Sequence, residues 1–184
     1  MNVKPTIKGF TLIELLIVVA IIGILTSLLI PNVIPAIQKA KQKQTMKDII
    51  SIVTAAVDYA TDSGEAPDSG NQSGILQVGS TFATAIVPVY IKICPISDQW
   101  GYPLLVYTGS AVTGAYSIPA DGIGEDDIVI GSQGRGGEDD GWVYDPENTI
   151  SGWYIVRTTL DFRNDLVNMN GSWLRGPRAS DPGT

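Results

Sequence analysis

A single acidic residue, Glu14, lies in the otherwise uncharged and mostly apolar run of residues 10–30. An unpaired carboxylate in hydrocarbon costs several kcal/mol, so its presence calls for a cationic partner. A helix over this run would rise about 31 Å, which matches the hydrocarbon thickness of a bilayer. The run has no small-residue cleavage site of the secretory type and almost no polar face that would suit a buried core helix. We therefore predict a transmembrane helix over residues 10–30, with one costly acid near its start.

The composition excludes several kinds of chemistry. None of the 184 residues is histidine, which removes the commonest general base, the commonest metal ligand and haem attachment of the Cys-x-x-Cys-His kind. Cys94 is alone, so no internal disulfide can form. The sequence contains no nucleophile motif and no phosphate-binding loop, and its 8% aromatic share is ordinary. We therefore expect neither an enzyme, nor an electron carrier, nor a haem or nucleotide cofactor.

Charge is distributed unevenly along the chain. All of the 19 acidic residues except Glu14 lie from Asp48 onward, together with only half of the 12 basic residues. This acidic part repels nucleic acid, so we expect no nucleic-acid partner. The basic residues just before it are Lys39, Lys41, Lys43 and Lys47. They either form a solvated helix face or contact anionic headgroups or acidic neighbours. Counted alone, they would place their side of the membrane in the cytoplasm.

The helix is expected to continue through residues 31–63. Apolar residues recur there at steps of three and four and form one face; they are Ile49, Val53, Ala56, Val57 and Ala60. Gly64 is a natural helix stop. Pro31 and Pro35 each remove a helical hydrogen bond and clash with a preceding carbonyl, which predicts a kinked helix.

Beyond the helix the sequence predicts short strands between loops. Residues 64–79 are rich in Gly, Ser, Asp and Pro and indicate a loop. A turn at residues 98–101 leads into a strand. Trp100 is expected to be an anchor in the core or at a subunit interface, most simply a packed core residue. Residues 151–162 contain the β-branched and aromatic side chains of a strand or a packed segment.

The residues around Glu14 resemble a known family. The stretch KGFTLIELLIVVAIIGIL is similar to the amino terminus of class III prepilins, the type IV pilins and type II secretion pseudopilins; the positions that fit are Gly9, Phe10, Thr11, Leu12, Glu14 and Pro31. The resemblance implies that a prepilin peptidase cuts between Gly9 and Phe10 and methylates the new Phe10 amine. Glu14 would then pair with the Phe10 ammonium of a neighbouring subunit, which turns two uncompensated charges into one ion pair. The resemblance also implies that the helix between Gly23 and Pro31 can unwind when subunits pack.

The resemblance further implies an architecture and a location. The fold would be α+β, with a long amino-terminal helix packed on a small antiparallel sheet with long loops. Residues 1–9 would be a cleaved leader on the cytoplasmic side, in conflict with the lysine count, and residues 10–30 would cross the bacterial inner membrane once. Residues 31–63 would form the periplasmic half of the helix. A globular part over residues 64–175 and a flexible tail over residues 176–184 would follow.

A second segment indicates a branch of the family. The stretch DQWGYPLLVY resembles the DPWG-x-P-Y signature of major pseudopilins, with Gln99 in place of the usual proline. Pilins usually close a carboxy-terminal loop with a disulfide, which one cysteine cannot form. The resemblance implies a subunit that polymerises with copies of itself into a periplasmic pseudopilus for type II secretion, with minor pseudopilins and an inner-membrane platform as partners. The alternative is a major or minor subunit of a surface type IV pilus for adhesion, motility or DNA uptake.

Major pseudopilins hold the corresponding loop with a calcium ion, and the acidic segment of residues 121–147 suits one. This segment contains nine acids, one arginine and many glycines, and Ca²⁺ takes about six to eight oxygen ligands from flexible loops. Two ligand sets remain open. The first set is Asp121, Asp126 and Asp127. The second set is Ser132, Asp139 and Asp140, with Arg135 where the family has an acid. A solvated acidic loop without a metal is the remaining alternative.

Overall fold

The computed structural model describes residues 9–70 and 72–179. The chain divides into two compact units, with the boundary between Ile37 and Gln38. A long helix, α1 (Leu12–Ser63), begins in the first unit and ends in the second. Within the described ranges the second unit adds a short helix and six strands: α2 (Thr81–Ile86), β1 (Ser73–Ile75), β2 (Leu105–Thr108), β3 (Ile128–Ser132), β4 (Trp153–Tyr154), β5 (Leu166–Met169) and β6 (Ser172–Pro177). The predicted α+β class, a long amino-terminal helix before a sheet with long loops, is confirmed.

The carboxyl end of α1 lies where the sequence predicted it. Gly64 adopts a left-handed conformation with φ 85°, and its N–H donates to the Ala60 carbonyl at 2.8 Å. Glycine has no Cβ to clash in this conformation, so it ends the helix at Ser63. Pro31 and Pro35 both lie within α1. Unwinding of the stretch before Pro31 in a filament stays a prediction.

In the second unit, α1 packs on one face of the sheet. Ile49, Val53 and Ala56 of the predicted apolar face are buried, and Val57 and Ala60 are half-buried. The core that they enter includes Ile52, Phe82, Ile86, Leu104, Val106, Ile128, Ile130 and Leu166. A fully buried side chain of this size contributes about 1.5–3 kcal/mol. Packing against the sheet therefore stabilises this half of α1.

The sheet is mixed, with the strand order β1-β2-β3-β5-β6-β4. Its neighbouring strands are antiparallel except β4 and β6, which run parallel with Trp153 opposite Gly176. The prediction of an antiparallel sheet is wrong at this edge, because β4 precedes the β5–β6 hairpin and pairs with its second strand. This pairing also brings Gly176 and Pro177 into β6, so the tail predicted over residues 176–184 does not begin at residue 176. Residues 180–184 lie outside the described ranges.

The segment predicted as a loop over residues 64–79 contains more regular structure than expected. It includes a 3-10 turn (Pro67–Gly70) and the edge strand β1. The β1 sequence, Ser-Gly-Ile, has little strand propensity, and it is held by its pairing with β2, where Ser73 lies opposite Tyr107.

The second face of the sheet is covered by loops. Side chains along β2 and β3 alternate between the faces, so Val106 and Ile130 join the α1 side while Tyr107 and Val129 join a second cluster. Other members of this cluster, buried or packed against it, are Val112, Ile118, Tyr116, Trp142, Tyr144, Val167 and Leu174. Because both faces are covered, β3 is buried along its whole length. Trp142 lies two residues after Asp140, so this face lies beside the acidic segment of residues 121–147.

Candidate functional site

The predicted processing motif lies directly before α1. Gly9, Phe10 and Thr11 are not helical, and α1 begins at Leu12. The Phe10 side chain is 75% exposed. The Gly9–Phe10 peptide bond, which we predict to be cut, is therefore in non-helical backbone. The rest of the predicted leader, residues 1–8, lies outside the described residues.

Thr11 and Glu14 form a capping box at the start of α1. The Thr11 backbone N–H and Oγ1–H donate to Glu14 Oε2 at 2.8 and 2.6 Å, and the Glu14 N–H donates to Thr11 Oγ1 at 3.3 Å. The T-x-x-E arrangement satisfies backbone donors that the first turn of a helix leaves without partners. Both bonds to the Glu14 carboxylate use Oε2, and no donor among the described residues bonds to Oε1. Glu14 can thus cap its own helix and still accept a bond from the amine of a neighbouring subunit.

The first unit exposes an apolar helix surface. Its large side chains between Phe10 and Ile37 are between 44% and 81% exposed, and they include Leu12, Ile13, Leu16, Val19, Ile22, Leu25, Leu29, Val33 and Ile34. Soluble proteins rarely expose so large a contiguous apolar surface unless it contacts a membrane or another protein.

The turn at residues 98–101 is attached to α1. The Trp100 indole N–H donates to Gln38 Oε1 at 2.7 Å. Trp100 is half-buried and belongs to neither core cluster, so the prediction of a packed core residue is wrong. The Gln99 N–H donates to Thr45 Oγ1 at 3.1 Å, and Gln99 Nε2 donates to Asp48 Oδ2 at 2.8 Å. Proline at position 99 could make neither of these two bonds. The departure from the family signature therefore has a structural role.

The buried Asp98 organises the inner side of the same turn. Its Oδ1 accepts bonds from the Trp100 and Tyr102 backbone N–H groups, both at 2.9 Å. Its Oδ2 accepts the Ser132 hydroxyl at 2.8 Å, and Ser132 Oγ accepts the Gly134 N–H at 3.1 Å. Ser132, a member of the second predicted ligand set, is thus engaged in the Asp98 network.

The first predicted ligand set is not brought together as a side-chain group. Asp121 and Asp126 are exposed. Asp127 closes a local loop, because its Oδ2 accepts the Gly124 N–H at 2.6 Å and its Oδ1 accepts the Asn170 amide. Among the described residues these three carboxylates do not form a group with metal-ligand spacing.

The second predicted set contributes two of its members to a carboxylate cluster. Asp139, Asp140 and Asp165 each offer one oxygen, and these atoms lie within 4.8 Å of one another. We call these three residues the acidic cluster. The doublet follows the 3-10 turn Gly134–Gly136, and Asp165 directly precedes β5. Arg135 is directed elsewhere, since its Nη1 donates to the Thr159 carbonyl at 3.2 Å.

Asp165 is the unusual member of the acidic cluster. Its residue is fully buried, and neither carboxylate oxygen has a hydrogen-bond partner among the described residues. Burial, followed by the charges of Asp140 and Asp139, raises the pKa of Asp165 to about 8. A buried carboxylate without partners is costly, so this site favours a cation or a proton.

Arg175 partly neutralises the acidic cluster. Its guanidinium forms an ion pair with Asp140 Oδ2 and lies over the Trp142 ring, with Cζ 5.4 Å from the ring centroid. The same Asp140 oxygen accepts the Asp165 N–H at 2.9 Å. With all three carboxylates ionised, the acidic cluster and Arg175 would have a net charge of about −2, which a divalent cation would balance.

Sequence reasoning missed two of these features for different reasons. The Thr11-x-x-Glu14 signature was visible before an apolar run. Asp165, in contrast, carries no motif and lies far from Asp140 in the chain. The only local indication of Asp165 as a cluster member was its position directly before the apolar residues of β5.

Comparison with known proteins identifies the amino-terminal motif. Residues 5–30 match the family model of the prokaryotic N-terminal methylation motif. Comparisons with curated proteins and with solved structures gave no significant match. The motif and the fold, a long amino-terminal helix before a mixed sheet with long loops, define the class: proteins with a prepilin-type leader and a fold consistent with that of pilins. The chain therefore carries the amino-terminal motif of type IV pilin-like proteins.

The motif has three general consequences. It implies processing by a prepilin peptidase, polymerisation into filaments and a membrane-anchored amino terminus. It also indicates a structural role for the protein. By hydropathy, no helix in the part of the chain that the structure describes is long and apolar enough to cross a membrane.

Proposed function

We propose that the chain is the major subunit of a periplasmic pseudopilus that drives protein export through the outer membrane in type II secretion. The observation that carries this proposal is the exposed apolar surface of α1 in the first unit, most of which lies within the methylation motif of residues 5–30. Copies of such a helix bury this surface against one another when they assemble. Minor pseudopilins and an inner-membrane platform would be the further partners.

Residues 10–30 would anchor each subunit in the inner membrane before assembly, with the second unit in the periplasm. In this arrangement Glu14 Oε1 would accept the methylated Phe10 amine of a neighbour. Two charges that are costly at the membrane edge would thereby become one pair. The capping box presents Glu14 at the first turn of α1, which places its carboxylate near the helix start, where such an amine would arrive.

Two features favour the pseudopilus over a surface pilus. The turn at residues 98–101 resembles the pseudopilin signature and is bonded to α1 through Gln99 and Trp100. The acidic cluster lies in the part of the chain that pilins usually restrain by a disulfide, and Cys94 has no partner cysteine.

We also propose a calcium ion at the acidic cluster. Asp139, Asp140 and Asp165 would supply carboxylate oxygens, and the buried Asp165 oxygens, which have no hydrogen-bond partner among the described residues, support a cation at this place. Calcium would supply positive charge that ties the loop after β3 to the start of β5. This revises the ligand sets from the sequence: Asp165 takes the place of Ser132, and Asp121, Asp126 and Asp127 remain outside.

Export and fibre formation distinguish the pseudopilus from the pilus. Deletion of the gene in the native host should leave a set of exported proteins in the periplasm, measured by mass spectrometry of the medium and the periplasm. Surface fibres at ordinary expression, counted by electron microscopy, should not depend on it. Loss of fibres with unchanged export would contradict the proposal and support the surface pilus.

Glu14→Gln tests the charge pair separately from the helix cap. Glutamine can replace glutamate in a capping box but carries no charge. We expect both Glu14→Gln and Glu14→Ala to be processed and to stay out of filaments when co-expressed with a tagged wild type. Efficient incorporation of Glu14→Gln, with exclusion of Glu14→Ala alone, would show that Glu14 only caps its helix.

A further inference from the structure

The second unit exposes large apolar side chains mainly at two opposite places. Apart from Tyr102 and Leu160, those in the described ranges fall in two segments. Ile75, Val78, Val89 and Ile93 lie in or after β1, and Val143 and Ile150 lie before β4. Ile150 is attached to β4, because its carbonyl accepts the Trp153 N–H at 3.1 Å, and β1 and β4 are the two edge strands of the sheet.

A groove lies on the β1 side. It has a volume of about 480 Å³ and is lined mainly by apolar groups from Val78, Ala83, Val87, Ile93, Cys94 and Ile96. Val78 and Ile93 are 80% and 74% exposed. Lys92 also lines this groove, and no described acidic residue forms a salt bridge with it. We call this feature the β1-side groove.

A compact acidic turn lies on the β4 side. The Asn148 N–H donates to the Asp145 carbonyl at 3.2 Å, and the Ser151 N–H donates to the Asn148 carbonyl at 3.0 Å. Ile150, at the end of this turn, is 54% exposed, and Asp145 and Glu147 are exposed as well. We call residues 145–150 the β4-side turn. It offers an apolar side chain beside two negative charges.

We propose that the β4-side turn of one subunit docks in the β1-side groove of a second copy, with Ile150 in the groove and Glu147 facing Lys92. The proposal rests on the proposed function, because it assigns a contact between the globular parts of neighbouring filament subunits. The two surfaces match in apolar character and in charge. The apolar groove contains the cation Lys92, and the turn offers the apolar Ile150 beside acidic residues.

Charge also disfavours the symmetric alternatives. A groove-to-groove contact would bring two Lys92 side chains together, and a turn-to-turn contact would bring together the acids of two turns. Contact between two different patches at opposite edges is heterologous. Such a contact repeats from copy to copy and gives an open filament when the rotation does not close.

Disulfide trapping in assembled filaments tests this contact. Burial raises the pKa of the Cys94 thiol to about 11, which makes it a poor reactant, so Cys94→Ser provides the background. Val78→Cys and Ile150→Cys are then introduced together into the full chain, and the filaments are oxidised. Each subunit carries both thiols, so we expect a ladder of dimers, trimers and longer chains on a non-reducing gel. The matched control replaces Ile150→Cys by Thr113→Cys, at another exposed position, and should give at most a trace of ladder.

Several outcomes would overturn the inference. Filaments that form normally but give no ladder, or stop at dimers, would exclude a head-to-tail contact at these residues. Failure of the wild-type chain to form any filaments would instead contradict the proposed function.

A charge exchange covers the case in which the cysteine pair impairs assembly. Lys92→Glu and Glu147→Lys should each lower the yield of filaments severalfold, and the double variant should recover most of it. Absence of recovery in the double variant would also count against the contact.

Discussion

Replacement of Asp165 by asparagine should stabilise the protein in chelator and remove its response to calcium. The change keeps the shape of the side chain and removes its charge. With a pKa of about 8 in the folded state, compared with about 3.9 for an ordinary aspartate, the protonation of Asp165 on folding costs about 4 kcal/mol at pH 7. A buried asparagine amide without partners still costs about 1–3 kcal/mol. We therefore expect a net gain of about 1–3 kcal/mol in chelator.

Calcium should remove the stability advantage of Asp165→Asn over the wild type. A ligand that binds only the folded state stabilises it by RT ln(1 + [Ca²⁺]/Kd), which is about 2.7 kcal/mol at a hundredfold excess over Kd. The wild type should gain this amount, or roughly 5–10 °C in Tm for a unit of this size. Asp165→Asn should gain little, because its neutral amide is a weaker ligand and the cluster loses a charge.

Tryptophan fluorescence is a direct measurement of this response. The four tryptophans are Trp100, Trp142, Trp153 and Trp173, and all lie in the second unit. Unfolding of the full chain in detergent, with calcium or chelator, therefore reports on that unit. Asp126→Asn and Asp145→Asn are matched controls outside the acidic cluster and should respond to calcium like the wild type. Magnesium should replace calcium poorly, since it demands tighter octahedral geometry.

The pH dependence of stability tests independently whether Asp165→Asn stabilises the protein in chelator. The folded-state pKa of Asp165 is raised above its unfolded value. The corresponding penalty is therefore absent below about pH 4 and grows until about pH 8, by about 1.4 kcal/mol per unit. In chelator the advantage of Asp165→Asn should grow over the same range. A variant less stable than the wild type in chelator at pH 7 would refute an unpaired buried carboxylate, and an unchanged calcium response would refute its role as a ligand.

Two further predictions concern other parts of the second unit. Gln99→Pro, which restores the family signature, should lower the free energy of unfolding by about 1–2 kcal/mol because two bonds to α1 are lost. Gln99→Ala keeps the backbone bond and should cost less than half as much. Equal stability of the wild type and both variants in urea unfolding would contradict this account. Alkylation of Cys94 at pH 8 should be about tenfold slower in folded than in urea-unfolded protein, because its raised pKa leaves about a hundredfold less thiolate, partly offset by higher nucleophilicity. Equal rates in the two states, followed by mass spectrometry, would show that the thiol is not shielded.

Local patterns in the sequence predicted those parts of the fold that local physics determines. The buried face of α1 followed from apolar residues at steps of three and four, and its end followed from Gly64, which alone among the residues there has no Cβ. The turn at residues 98–101 followed from its composition. In each case the deciding interaction lies within a few residues of the pattern.

The features that the sequence did not predict depend on contacts between distant segments. The parallel pairing of Trp153 with Gly176 requires β5 to lie between them in the chain, and no periodicity marks a two-residue strand. The acidic cluster joins Asp165 to a doublet on the far side of β4, so ligand spacing along the sequence could not identify it. Ser132 had suitable spacing, but the buried Asp98 binds its hydroxyl. Competition for one side chain is visible only in three dimensions.

The capping box has a consequence for proteolysis. Proteases bind extended backbone whose amide and carbonyl groups are open to pairing, and a helix withholds those groups. Glu14 and Thr11 start the helix at Leu12, so the bond between Gly9 and Phe10 remains accessible without local unfolding. The cap thus sets where the helix begins, just after the predicted cleavage site. In the proposed function the same Glu14 side chain would, after cleavage, also pair with the amine of the next subunit.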